Sequence, residues 1–155
     1  MRYTILIPVL ALGACTEFQT ALAPPVVEAP APPPVETLDP TPPPPPPPAA
    51  RTVEEFDTTD AEDRAAAVAE PVEEGAALGN TIASLGNPAD PGIWLSTPLV
   101  SELTPGRIEW QGNSVNLELR PSGGAAGSGS EISLAAMRLL EAPLTDLPEI
   151  TVFAN

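Results

Sequence analysis

Residues 128–140, Ser128-Gly-Ser-Glu-Ile-Ser-Leu-Ala-Ala-Met-Arg-Leu-Leu140, begin like a strand and finish like a helix. Ser133 stands at the change and suits an N-cap, because its hydroxyl can accept a free N–H of the first helical turn. Beyond it Leu134, Met137 and Leu140 recur at i, i+3 and i+6, with Ala136 and Leu139 beside them. That spacing gives one apolar face, which reads as core. Pro143 is placed to stop the helix. Downstream, Glu149–Phe153 supplies a closing strand. Upstream, Pro121–Ser130 is a loop rich in Gly and Ser, in which Gly123–Gly129 has the composition of a backbone anion nest or simply of a loop.

Further out, Gln111-Gly112-Asn113 is a hairpin signal between Arg107–Trp110 and Ser114–Leu119. Val115, Leu117 and Leu119 share one strand face by alternation; Asn116, Glu118 and Arg120 take the other. Ile108 and Trp110 likewise oppose Arg107 and Glu109. Thr81–Leu85 and Ile93–Thr97 read as two more strands around the turn-rich loop Gly86–Gly92. Short strands with one helix predict a small closed barrel, since closure removes exposed sheet edges.

The residues before this region cannot build a core. Of the 23 prolines, 14 lie between Pro24 and Pro48. The run Pro42–Pro48 enforces polyproline II. At about 3.1 Å per residue, residues 24–48 would reach roughly 75–80 Å, which suits a spacer. A PxxP docking ligand is the sharper alternative, although acidic neighbours stand where such ligands carry Arg or Lys. Thr59-Asp60-Ala61-Glu62 has the form of a capping box, and Ala65–Ala69 continues a short helix that Pro71 would stop. That helix has no apolar stripe and is expected to be a partly formed piece of the tether. The boundaries are 1–14 for a signal peptide, 15–58 for a disordered acidic linker, 59–76 for the marginal helix and 77–155 for the barrel.

At the start of the chain Arg2 precedes the apolar run Ile5–Leu12, which is too short to span a bilayer and fits an export signal. Leu12-Gly13-Ala14-Cys15 resembles the lipobox of bacterial lipoproteins. The resemblance implies cleavage before Cys15 and lipid on that residue, the sole cysteine. Several acyl chains hold a protein on a membrane far better than one. Thr16 rather than Asp follows, which in that family implies the periplasmic leaflet of the outer membrane.

Composition removes whole mechanisms. The formal charge is −15, with no His and no Lys. Such a chain is not a nucleic-acid binder, because phosphates demand basic contacts. Without His there is no Ser-His or Cys-His relay. With one Cys and no His, a zinc site would need an unusual set of carboxylates. The reading is no metal and no cofactor.

The order hairpin, Gly-rich loop, Gly129-Ser-Glu-Ile-Ser-Leu-Ala-Ala-Met137, helix and final strand resembles the C-terminal half of the rare lipoprotein A family over Gly79–Phe153. The resemblance implies a double-psi β-barrel and contact with peptidoglycan. Combined with the strand pattern, the expected fold is mainly β: a small six-stranded double-psi-like barrel with one short helix, after a disordered Pro-rich stalk. Enzymatic members of that family place an Asp in the loop after the hairpin and another before the helix. Here Arg120-Pro121-Ser122-Gly123 and Ser133 occupy those places. A Ser hydroxyl can cap a helix but cannot protonate a glycosidic oxygen, which calls for a carboxyl of raised pKa. Ile93–Val100 and Ile132–Met137 are also similar to stretches of short lipoproteins described as D-galactarate dehydratase or altronate hydrolase. That likeness implies a metal-assisted dehydration that these residues do not support.

The sequence therefore points to a lipid-anchored periplasmic protein whose non-catalytic barrel binds cell-wall glycan or an envelope protein. A peptidoglycan-cleaving enzyme is the alternative. Trp94, Trp110, Arg107, Arg120 and Ser133 are the candidate binding residues. Both tryptophans lie within strands and read as core, with sugar stacking the alternative for one exposed beside a groove.

Overall fold

Strand alternation sets the wall of the molecule. In the computed structural model, which describes residues 41–70 and 75–155, six strands close into a barrel in the order β1-β5-β2-β4-β3-β6. They are β1 (Ala76–Leu85), β2 (Trp94–Thr97), β3 (Thr104–Trp110), β4 (Asn113–Pro121), β5 (Ser130–Ile132) and β6 (Glu149–Ala154). The signal segment, Leu12, Gly13, Ala14, Cys15 and most of the linker lie outside the described residues.

Val115, Leu117 and Leu119 of β4 point into the barrel and are buried, while Asn116, Glu118 and Arg120 are half-exposed. Ile108, Ile132, Ile150 and Val152 fill the same interior from β3, β5 and β6. β3 and β4 join through Gln111 and Gly112, whose φ values of 48° and 89° match the primed turn that suits twisted hairpins. β1 carries one extra residue against β6, because Ala77 pairs with Phe153 but Gly79 with Val152. The resulting bulge brings Thr81 and Ala83, rather than Ile82, to the inside.

The topology has an internal two-fold pattern. Exchanging β1 with β4, β2 with β5 and β3 with β6 returns the same strand order and the same pairing senses. Parallel β1–β5 maps onto parallel β4–β2, and antiparallel β1–β6 onto antiparallel β4–β3. Each half thus lends its long first strand to the middle strand of the other half. This interlocking is the double-psi-like arrangement.

Helix α3 (Leu134–Leu139) closes against the wall, with Leu134, Ala136, Met137 and Leu140 buried. Its end is set before Pro143. Glu141 takes φ 59°, Ala142 N–H reaches Met137 O at 3.1 Å, and Glu141 N–H reaches Arg138 O at 3.0 Å. These two bonds form a Schellman stop.

The segment before the barrel departs from the tether expected of it. Helices α1 (Val53–Phe56) and α2 (Ala61–Val68) are both formed. The capping box falls on Thr52 and Glu55 of α1; α2 is capped by Asp60, one residue after the expected Thr59. α2 lies on β4, with Ala66 and Ala67 buried. Asn116 Nδ2 donates to Ala69 O at 2.9 Å, meeting a carbonyl that the helix end leaves free. Asp57, whose side chain is 3% exposed, accepts from Arg138 at 2.7 Å and pairs with Arg64 at 3.1 Å. Residues 53–69 are therefore part of the folded unit. The absence of an apolar stripe did not foretell this, because alanines and backbone carbonyls make the contact.

Candidate functional site

The corner at Ser133 is assembled by three elements. β5 delivers it, α3 begins at it, and β2 lies alongside. Ser133 Oγ accepts the N–H of Ala136 at 3.2 Å and that of Trp94 at 3.1 Å, while Ser133 N–H donates to Trp94 O at 3.0 Å. The residue is fully buried. Both oxygen lone pairs are thus engaged by backbone donors, and among the described residues no basic side chain is hydrogen-bonded to the hydroxyl to activate it. Its role is to pin the helix to the strand.

Trp94 leaves the wall on the outer side, since its neighbour Leu95 fills the interior. It is nevertheless 3% exposed. The loop Gly86–Gly92 covers it: the indole N–H donates to Asp90 O at 3.4 Å, and a Cβ on Gly86 would meet the ring at 2.7 Å. Arg120 lies over the ring, 5.0 Å from its centroid. The guanidinium is held there by Glu118 at 2.6 Å and Asp90 at 3.4 Å. The structure therefore brings Trp94, Arg120 and Ser133 together, as a sealed cluster with no free indole face for stacking a sugar.

Arg107 and Trp110 lie apart from that cluster. Alternation puts Arg107 on the outer face, yet it is buried, because its guanidinium stacks on Phe153 at 4.2 Å and pairs with Glu109. Its Nε and the Oδ1 of register partner Asn116 have no hydrogen-bond partner among the described residues. Trp110 is half-buried at the hairpin end, opposite Asn113.

A polar group not singled out in the sequence closes one end of the barrel. Thr81, Ser130 and Thr97, on neighbouring strands β1, β5 and β2, all face inward. Ser130 Oγ lies 2.9 Å from Thr81 Oγ1 and donates to Thr97 Oγ1 at 2.9 Å; Thr97 Oγ1 accepts Leu99 N–H at 3.3 Å. The signal was present: each hydroxyl is in phase with an apolar residue two positions on, Ala83 and Ile132, or two before, Leu95. Buried hydroxyls that satisfy one another seal a strand end without opening a cavity.

No three His, Cys, Asp or Glu side chains cluster to hold a metal among the described residues. No described helix is long and apolar enough to cross a membrane. The depression beside the corner has room for one water-sized sphere, about 10 Å³, between Phe56, Asp57 and Thr59 on one side and Pro91, Leu134 and Ala135 on the other. No family model, curated protein or solved structure matches the chain.

Proposed function

We propose that this is a lipid-anchored envelope protein of the periplasm, held on the outer-membrane leaflet through Cys15, whose barrel binds without catalysing. Its relation to rare lipoprotein A, and the double-psi inheritance that this implies, belong to the same proposal. The observation that carries the non-catalytic part is Ser133. The corner where a proton donor would stand holds a buried hydroxyl bound to two backbone amides. The carboxylates near the corner, Asp57, Asp90 and Glu118, each face a guanidinium instead of an apolar cleft.

Of the two ligand classes, an envelope protein is favoured over cell-wall glycan. Arg107, Arg120 and Arg138 are all engaged in internal ion pairs, and neither Trp94 nor Arg107 offers an open face. The tests are direct. Cells making the whole chain and its Cys15→Ser variant are fed an alkyne fatty acid; label on the first alone is expected, and label on neither removes the anchor. Incubation with sacculi is expected to release no anhydro-muropeptides, and their release would make the protein an enzyme.

A further inference from the structure

The proline run does not leave the folded unit bare. Within Pro42–Pro48 only Pro43 and Pro46 are half-buried; the other five are exposed. A spacing of three is one turn of polyproline II, about 9 Å of rise. That is the spacing along one edge of such a helix. The run ends in a turn, where Ala50 N–H reaches Pro47 O at 2.9 Å.

The contacts suit proline chemistry. Prolines offer carbonyl acceptors and no donors. Thr58 Oγ1 donates to Pro44 O at 2.6 Å. Gly92 has φ +99° and presents bare backbone. The place where its Cβ would stand is 3.6 Å from Pro43 Cδ and 3.9 Å from Trp94 Cδ1, so a proline ring and the edge of a buried indole flank the same spot. A glycine shelf, an aromatic edge and a hydroxyl donor to a carbonyl make up the kind of surface that reads preformed polyproline helices.

We propose that Gly92, Trp94 and Thr58 form a binding site for polyproline II segments, filled in cis by Pro42–Pro48. The ligand class is a proline-rich peptide without basic residues, as the run itself is. A cis ligand on a short connection acts at an effective concentration of about millimolar, so it masks the site from weak ligands in trans. The site depends neither on the anchor nor on what the barrel binds.

The test uses the whole chain and a fluorescein-labelled peptide of residues 40–50, read by anisotropy. Pro43→Ser with Pro46→Ser empties the site without touching the barrel core. That variant is expected to bind the peptide at least ~10-fold more tightly than the unaltered chain, as the cis competitor is lost. A peptide with serine at those two positions is expected not to bind. Adding Thr58→Val is expected to weaken binding about fivefold, the worth of one hydrogen bond. Equal binding by both chains, binding by neither, or equal binding of the serine peptide would overturn the proposal. A measurement on the unaltered chain guards against a folding defect. A spin-labelled peptide in millimolar excess is expected to broaden the amide signals of Gly92 and Thr58, and broadening elsewhere or nowhere overturns it equally.

Discussion

At Gly106 the barrel wall leaves no room for a side chain. A Cβ there would run into Leu119 Cδ1 and the Phe153 carbonyl oxygen, one from each flanking strand. The carbonyl belongs to the β3–β6 ladder and cannot step aside. Gly106→Ala is expected to destabilise the chain by about 1–3 kcal/mol, as an overpacked wall does, measured by urea unfolding. The opposite sign is expected at Glu141. It holds φ 59° at the end of α3, is exposed, and takes a conformation that costs L-residues about 1–2 kcal/mol. Part of that gain is lost to the greater freedom of glycine in the unfolded chain, so Glu141→Gly should stabilise by about 0.5–1 kcal/mol. An unchanged or lower urea midpoint would count against this account of the Schellman stop.

Among the elements, α1 carries a titration effect. The amide N–H groups of Arg51 and Thr52 hold the Glu55 carboxyl below its ordinary range, with the Thr52 hydroxyl helping. A lowered folded-state pKa means that the contribution is complete above the unfolded value and is lost as pH falls through the folded one. The side-chain NMR signal of Glu55 should therefore titrate at lower pH than a free glutamate, and α1 should lose this contribution as the pH falls through that titration. α2 is held differently, by two alanines and the Asp57 pairs. Asp57→Ala is expected to cost about 1–3 kcal/mol; it is less than for a sealed ion pair because Arg64 and Arg138 can turn to water. Hydrogen exchange should speed at Arg64–Val68 while β3 and β4 keep their protection, because the segment opens as its own unit. Loss of protection throughout would make it inseparable from the barrel.

For the molecule as a whole, the parts legible in the sequence are those governed by local rules. The primed turn at Gly112, the alternation of β4 and the Ser133 cap each depend on a few adjacent residues, and all three stand where the pattern puts them. What the sequence hid depends on partners distant along the chain. Arg107 is in phase with the polar face yet is buried, because Phe153, 46 positions later by numbering, supplies a ring for it. Trp94 points outward and is buried by a loop and Arg120. The bulge in β1 shifts its inward residues by one and leaves no composition signal beyond Gly79. The candidate residues were legible as residues, but their enclosure was not, since enclosure is a property of the closed wall.

The first and last strands of the barrel meet with Ala76 beside Ala154, and their ladder then runs inward from that shared end. Antiparallel bonds lie across the strands, so traction that drew those two alanines apart would load the rungs singly. Such a seam peels like a zip, at low force, whereas a pull along the strands would have to shear many rungs together. In optical-tweezer records, handles at these two positions should give early, gradual rupture. An abrupt break at high load would mean that another seam bears the strain.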